Sequence, residues 1–286
     1  MPKIIIVGAS TLDIVSEVTQ YPAEDQEVRA TRREERVGGN GANTARVLAG
    51  LGHEVTLLSL WSRDEAGRRI ARELEGIGVD IRHCREVASG STPTSHIVLS
   101  RATGSRTIVH SRDLPELELD DLERIDISDV DWIHFEARES PEMLRMLTAA
   151  RGIAGAAKIS LEIEKERTSI ETMWPISGTI VFSRAFAHAR GFENADDLLY
   201  RVRRSAPEAN LVCTWGEQGA FGLEDEIFHV PAFVPPKVVD TLGAGDVFNA
   251  GLIDALARGA TFPDALSRAC RLAGEKVGRQ GFEGLL

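Results

Sequence analysis

The stretch Asp240-Thr-Leu-Gly-Ala-Gly-Asp246 runs straight into an apolar helical pattern, and its residue types suit phosphate chemistry. Glycines at 243 and 245 let bare backbone N–H groups approach an anion. A helix that starts there adds its unpaired amides and the positive end of its dipole. A carboxylate at the same place repels phosphate, but it is well placed to take the proton from a hydroxyl that attacks the phosphate. Gly243, Ala244 and Gly245 as an amide cradle, with Asp246 as a base, point to phosphoryl transfer to an alcohol.

A second constellation is Gly38-Gly39-Asn40-Gly41-Ala42-Asn43. Gly39 and its neighbour allow a tight turn against a ligand, and Asn40 and Asn43, three residues apart, project on one side of a helix start. Amides offer both a donor and an acceptor, which suits sugar hydroxyls; the plainer alternative is that Asn40 only caps the helix. Asp13 follows the first strand at a carboxyl end, where open α/β sheets bind ligands, and either accepts two hydroxyl hydrogen bonds or simply sits in a turn. Arg106, in an expected hairpin, has the guanidinium geometry for a phosphate contact. Gly216-Glu217-Gln218-Gly219 ends a strand with a glycine loop, read as a nucleotide shelf or an ordinary turn. No Walker A loop and no G-x-G-x-x-G fingerprint occurs, and the histidines, His110 among them, show no metal spacing and read as structural or surface. No cluster of basic residues borders the sugar motifs along the chain, which argues against an acceptor that is already phosphorylated.

These residues need a scaffold, and its rhythm is visible. Short apolar runs at 4–7, 55–60, 132–135, 159–163, 179–182 and 211–214 lack alternation, as strands covered on both faces do. Helical patterns lie between and after them at 43–51, 66–77, 141–150, 195–204, 247–258 and 262–277. The alternation predicts an α/β fold with a doubly wound, mostly parallel sheet flanked by helices, over a single domain 1–286. Segments 11–37 and 94–111 break the rhythm and are β-rich; the second contains Ala-Thr-Gly-Ser as a hairpin turn. Together they are expected to form a small β-sheet lid. In the helix after Asp246, the apolar positions Phe248, Leu252, Ala255 and Leu256 fall on one face.

Bulk properties exclude several classes. The net charge of −11, from 33 basic and 44 acidic side chains, leaves no basic surplus for a nucleic-acid backbone. The first apolar run is too short to cross a bilayer, so no membrane partner is expected. Cys84, Cys213 and Cys270 are far apart and odd in number, which fits a reducing, cytoplasmic setting.

Taken together, the chain resembles the ribokinase-like (PfkB) sugar kinases over nearly its whole length. Both signatures of that family are present, at 38–43 and 240–246. Tyr21-Pro-Ala-Glu-Asp25, Trp132-Ile-His-Phe-Glu-Ala-Arg138, Leu211-Val-Cys-Thr-Trp215 and the tail from Gly278 to Gly284 are similar to its ketohexokinase branch, which phosphorylates fructose at the 1-hydroxyl. The resemblance implies that Asp246 is the catalytic base and that the amides at 243–245 receive developing phosphate charge. It implies that Asp13, Gly39, Asn40 and Asn43 hold the sugar, with Asp25 reaching a neighbouring subunit's sugar from a lid shared in a homodimer. It assigns Arg106, Gly216, Glu217, Gln218 and Gly219 to the nucleotide, Mg-ATP as phosphoryl donor, and a potassium ion to a cradle of Asp240 and the loop 276–281. One departure stands out. The Asn-x-x-Glu element that many relatives link to magnesium is here Ser183-Arg-Ala-Phe186, as in the ketohexokinase branch, which leaves Glu162 or Glu164 to help through water.

Overall fold

Runs of β-branched residues that lack polar alternation need cover on both faces, and the chain provides it. Strand β1 (Lys3–Val7) buries Ile4, Ile5, Ile6 and Val7 to 1% exposure or less. The computed structural model describes residues 1–103, 105–138, 140–154 and 158–285. The remaining strands are β2 (Thr11–Val18), β3 (Arg32–Gly38), β4 (Glu54–Leu58), β5 (Leu60–Ser62), β6 (Arg85–Val87), β7 (Thr94–Ser100), β8 (Arg106–Ser111), β9 (Trp132–Glu136), β10 (Lys158–Ile163), β11 (Thr179–Ser183), β12 (Asn210–Thr214), β13 (Ala220–Leu223) and β14 (Ile227–Val230). The helices are α1 (Asn40–Gly50), α2 (Glu65–Gly76), α3 (Leu119–Glu123), α4 (Pro141–Ile153), α5 (Arg184–Ala189), α6 (Ala195–Arg203), α7 (Ala244–Ala257) and α8 (Phe262–Val277).

The main sheet runs β14-β13-β12-β11-β10-β9-β1-β4, parallel except for the antiparallel edge made by β13 and β14. One apolar core lies under α4, α5 and α6, and a second, on the opposite face, under α1, α2, α7 and α8. This is the expected doubly wound α/β architecture. The expected run at 55–60 is two strands: β4 stops opposite Val7, where β1 ends, and the chain then turns away as β5 to pair with β6. The β13–β14 edge and α5 were not foreseen, because short edge strands and a six-residue helix carry too little periodicity.

The two β-rich segments form one mixed four-stranded sheet, ordered β3-β2-β7-β8. Strand β2 pairs antiparallel with β3 and parallel with β7, so two segments distant in sequence share one lid. Strands β7 and β8 make the expected hairpin, although Gly104 of its turn lies outside the described residues. Helix α7 also differs from expectation. Every residue from Asp246 to Leu256 is buried, because α8 and α1 pack on it and its apolar side chains join the core on that face of the sheet. A helix so enclosed is buried all round rather than along one stripe, and it carries Asp246, Asn249 and Asp254 inward with its apolar residues.

Candidate active site

Gly243 adopts φ 77° and forms the N-cap of α7, and no side chain caps that helix start. A side chain there would be strained by the backbone and would also meet the Phe282 ring at 3.0 Å, so only glycine fits. The amides of Ala244 and Gly245 thus open the helix without a competing side-chain acceptor. Asp246, in the first turn, is 6% exposed. Its Oδ2 accepts a 2.7 Å hydrogen bond from Asn43 Nδ2, between residues 203 positions apart. Burial pushes the Asp246 carboxyl up to about 7; the charges of Glu164, Glu136 and Asp13 add to this, and the Asn43 bond works against it.

Asn43 donates to Asp246, which leaves its buried Oδ1 without a protein partner among the described residues. An unmatched buried acceptor beside the base suits a ligand hydroxyl. Asn40 is not the helix cap: Gly39 holds that position at φ 92°, and a Cβ on it would strike the Ala9 carbonyl at 2.5 Å. Asn40 is free for another role, and its Nδ2 donates to Glu162 and Glu164, each at 3.2 Å. Asp13, on β2 of the lid, accepts from Thr11 Oγ1 at 2.8 Å. A Cβ on Gly38 would overlap the Asp13 carboxylate at 2.1 Å, so the first glycine of the motif makes room for this carboxylate.

These groups share one cleft of about 530 Å³ between the lid and the carboxyl ends of the main strands. Asp13, Gly39, Asn40, Asn43, Arg106, Gly243, Ala244, Gly245 and Asp246 all line it. Arg106 donates to Thr241 Oγ1 at 2.9 Å, tying the lid to the anion turn. Two assignments fall elsewhere. Asp25 sits in an exposed turn of the segment between β2 and β3, with φ 60°, away from the cleft lining. Gly216, Glu217, Gln218 and Gly219 form a turn after β12, two strands from β10 and outside the lining; Glu217 is held by Arg184 at 3.1 Å.

The structure adds residues that spacing along the chain did not single out. Glu136, at the end of β9, accepts from the Ala9 amide at 2.7 Å and faces the cleft. Glu162 is raised well above the usual carboxylate range by burial first, then by the charges of Asp246, Glu136 and Glu164. Among the described residues, no three Asp, Glu, His or Cys side chains converge closely enough to hold a metal ion alone. The carboxylates that line the cleft, Glu162 and Glu164 among them, nevertheless suit a cation carried in on phosphate oxygens, as outer partners through water. His110, read as structural or surface, is exposed on β8 and also lines the cleft; it contacts Ser95 Oγ at 3.2 Å, and its pKa is lowered by burial and by Arg138, Lys165 and Arg112. The expectation of no basic cluster also fails in three dimensions. Arg36, Arg106, Arg112, Arg138, Lys165 and Arg167, drawn from β3, β8 and the loops after β8, β9 and β10, all line the cleft.

Asp240 is buried and does not line the cleft. Its carboxylate meets Arg36 Nη1 and Lys276 Nζ, each at 3.2 Å, and accepts the amides of Leu242 at 2.9 Å and Gly281 at 3.0 Å. Burial alone would raise this carboxyl, but Lys276 and Arg36, with the two amides, hold it below the usual range. The potassium ion expected beside Asp240 meets an ammonium there.

A buried base at an amide-rich helix start, in a cleft roofed by a β lid, defines a phosphotransferase that acts on an alcohol. The chain belongs to the pfkB family of carbohydrate kinases, whose profile it matches over residues 1–284; these are ATP-dependent phosphotransferases that use Mg²⁺. It is 34% identical over 294 residues to ketohexokinase of Mus musculus, with 99% of each chain covered. It is 28% identical over 295 residues to ribokinase of Bacillus subtilis, covering 99% of this chain and 96% of that one. In fold it is similar to a putative ribokinase from Agrobacterium tumefaciens, with TM-score 0.86 and 22% identity over 99% of this chain and 94% of the other. The Arabidopsis thaliana ribokinase complexed with ribose and ATP superposes with TM-score 0.82 and 22% identity, over 98% and 94%. Among the described residues no helix is long and apolar enough to cross a membrane.

Proposed function

We propose that this kinase phosphorylates a hydroxymethyl group of a small neutral sugar, a ketohexose such as fructose, at its 1-hydroxyl. The observation that carries the reading is the placement of Asp246: a buried carboxylate raised to about 7, beside the uncapped start of α7 and facing the cleft. Asp246 takes the hydroxyl proton as the oxygen attacks the γ-phosphorus. The amides of Gly243, Ala244 and Gly245 receive the charge that develops on the phosphoryl oxygens. Asn43 Oδ1, Asp13, Gly39 and Asn40 hold the sugar, and Arg106 contacts the phosphates from the lid. Glu162 and Glu164 would hold magnesium through water, and the ion would supply neutralisation of phosphate charge. The turn at 216–219, at the same edge of the sheet, supports the adenosine end of ATP. Closure of the lid excludes water that would compete as acceptor. The full-length likeness to a ketohexokinase at 34% identity supports the ketose.

We further infer a homodimer formed through the lid, with Asp25 serving the partner's site. All six residues of β8 are exposed, with Ile108 at 48% and Val109 at 65%. The basic lining of the cleft favours a second reading, an acidic sugar such as 2-keto-3-deoxygluconate, whose carboxylate Arg112, Arg138 or Lys165 would pair. A coupled assay of ADP release over fructose, tagatose, ribose, 2-keto-3-deoxygluconate and adenosine decides between them. Highest kcat/KM with fructose is expected. Highest kcat/KM with the sugar acid would establish the second reading. Sugar binding with no ADP release from any of them would mean a non-catalytic sensor.

A further inference from the structure

Lys276, in the last turn of α8, is 0% exposed. Its ammonium donates to the carbonyl oxygen of Asp240 at 2.8 Å and lies 3.2 Å from Oδ2 of the same residue. It also stands 5.9 Å from the centre of the Phe282 ring, which packs against Gly243. Complete burial of an ammonium is costly unless it is paired and hydrogen-bonded, so a lysine here needs a reason. The contacts supply one. The Asp240 carboxylate that it meets also accepts the amides of Leu242 and Gly281, and the amides of Val239 and Asp240 donate to the Val277 carbonyl. One positive charge therefore fastens the end of α8 to the first residue of the turn that presents the cradle amides.

Potassium, the cation implied for this place by resemblance, needs a shell of oxygen ligands. Two of the oxygens that would form such a shell, the carbonyl and carboxylate of Asp240, already face Lys276. Arg36 Nη1, 3.2 Å from the same carboxylate, adds a second fixed positive charge. A metal cation cannot share contacts that are occupied by a like charge. The residues present do not fit potassium.

We infer that Lys276 is a tethered replacement for a monovalent metal ion: a positioning residue whose ammonium holds the turn 241–245 in its anion-binding shape, so that turnover needs no potassium. The kinetic side of this inference rests on the kinase reading above; its thermal side does not.

The test compares KCl with tetramethylammonium chloride at equal ionic strength, on the full chain and on Lys276→Ala, reading turnover with Mg-ATP and sugar alongside the melting temperature. The wild-type chain should give the same turnover and the same melting temperature in both salts. Lys276→Ala opens the cation's place; its turnover should fall on the order of 10²-fold in tetramethylammonium and recover about ten-fold or more in KCl, because a displaced cradle misaligns the phosphate. Potassium should also raise the melting temperature of the variant alone, by binding its folded state. A specific potassium effect on the wild-type chain, in either readout, overturns the inference. So does a folded variant that responds to potassium in neither. If Lys276→Ala does not fold, the wild-type melting temperatures decide alone. They decide equally if no sugar is phosphorylated, which would defeat the kinase reading without touching this one.

Discussion

Asp240 and Asp246 stand at the two ends of one glycine-bearing turn, and the fold treats them in opposite ways. Asp240 is surrounded by Lys276, Arg36 and two backbone amides, and its pKa falls. Asp246 has one amide donor, Asn43; burial, with the charges of its carboxylate neighbours added, pushes its pKa up to about 7. Both are almost fully buried, at 3% and 6% exposure, so burial alone does not separate them. The difference is the sign of the charges around them. A carboxylate locked in its charged state fastens structure; one that is poised to bind a proton near neutral pH can exchange it with a substrate.

That contrast can be broken most forcefully at Asp246. Asp246→Asn keeps the shape and removes the proton acceptor, and turnover should fall by about 10² to 10⁴ while sugar affinity, measured by calorimetry, stays within a few fold. Undiminished turnover would show that the base is elsewhere. Asp240→Asn leaves Lys276 buried without its counter-charge and should destabilise the chain by on the order of 3–5 kcal/mol in denaturant titration at pH 7. Because the folded pKa of Asp240 is depressed, its stabilising effect exists above the usual carboxylate pKa and disappears as the pH falls through the folded value. The wild-type advantage over Asp240→Asn should therefore shrink in acid.

Asp246→Asn should show the opposite sign. A carboxyl with a raised folded pKa favours the folded state most at low pH. That advantage is lost as the pH climbs from the ordinary value, near 4, through about 7. At pH 8 the Asn variant should thus be more stable than wild type, on the order of 2–4 kcal/mol, with the gap closing towards pH 4. An equal change for both variants at every pH would erase the distinction between the two ends. Smallest of all, Arg106→Ala removes the lid's 2.9 Å link to Thr241 and should lower kcat/KM for ATP roughly ten-fold, with little change in melting temperature.

How much of this was readable before the structure depended on distance along the chain. The turn 240–246 and the motif 38–43 were legible because glycine, a helix start and a carboxylate or amide lie within a few residues, and local geometry follows from local sequence. Asp13 was placed from its position after the first strand, a rule of open sheets rather than of neighbours. Glu136 and Arg36 were not seen as site residues, and Lys276 was read only as part of a loop cradling potassium. Glu136 meets Ala9 across 127 positions, and Arg36 meets Asp240 across 204, through a strand order and a lid pairing that periodicity does not encode. The basic lining was hidden for the same reason, since its six members come from two strands and three loops. Helix α7 was recognised but misjudged as striped, because a pattern of apolar residues does not reveal that a second helix will cover its other side.

The central claim is that Asp246 accepts a proton in the working pH range. It is tested most directly by the pH profile of kcat/KM for the sugar at saturating Mg-ATP, on the wild-type chain and on His110→Gln. Activity should rise with pH through an apparent pKa near 7, well above the usual carboxylate range, and the same limb should persist without the imidazole. A profile already flat from about pH 5 upward, or one whose acid limb vanishes in His110→Gln, would contradict the assignment.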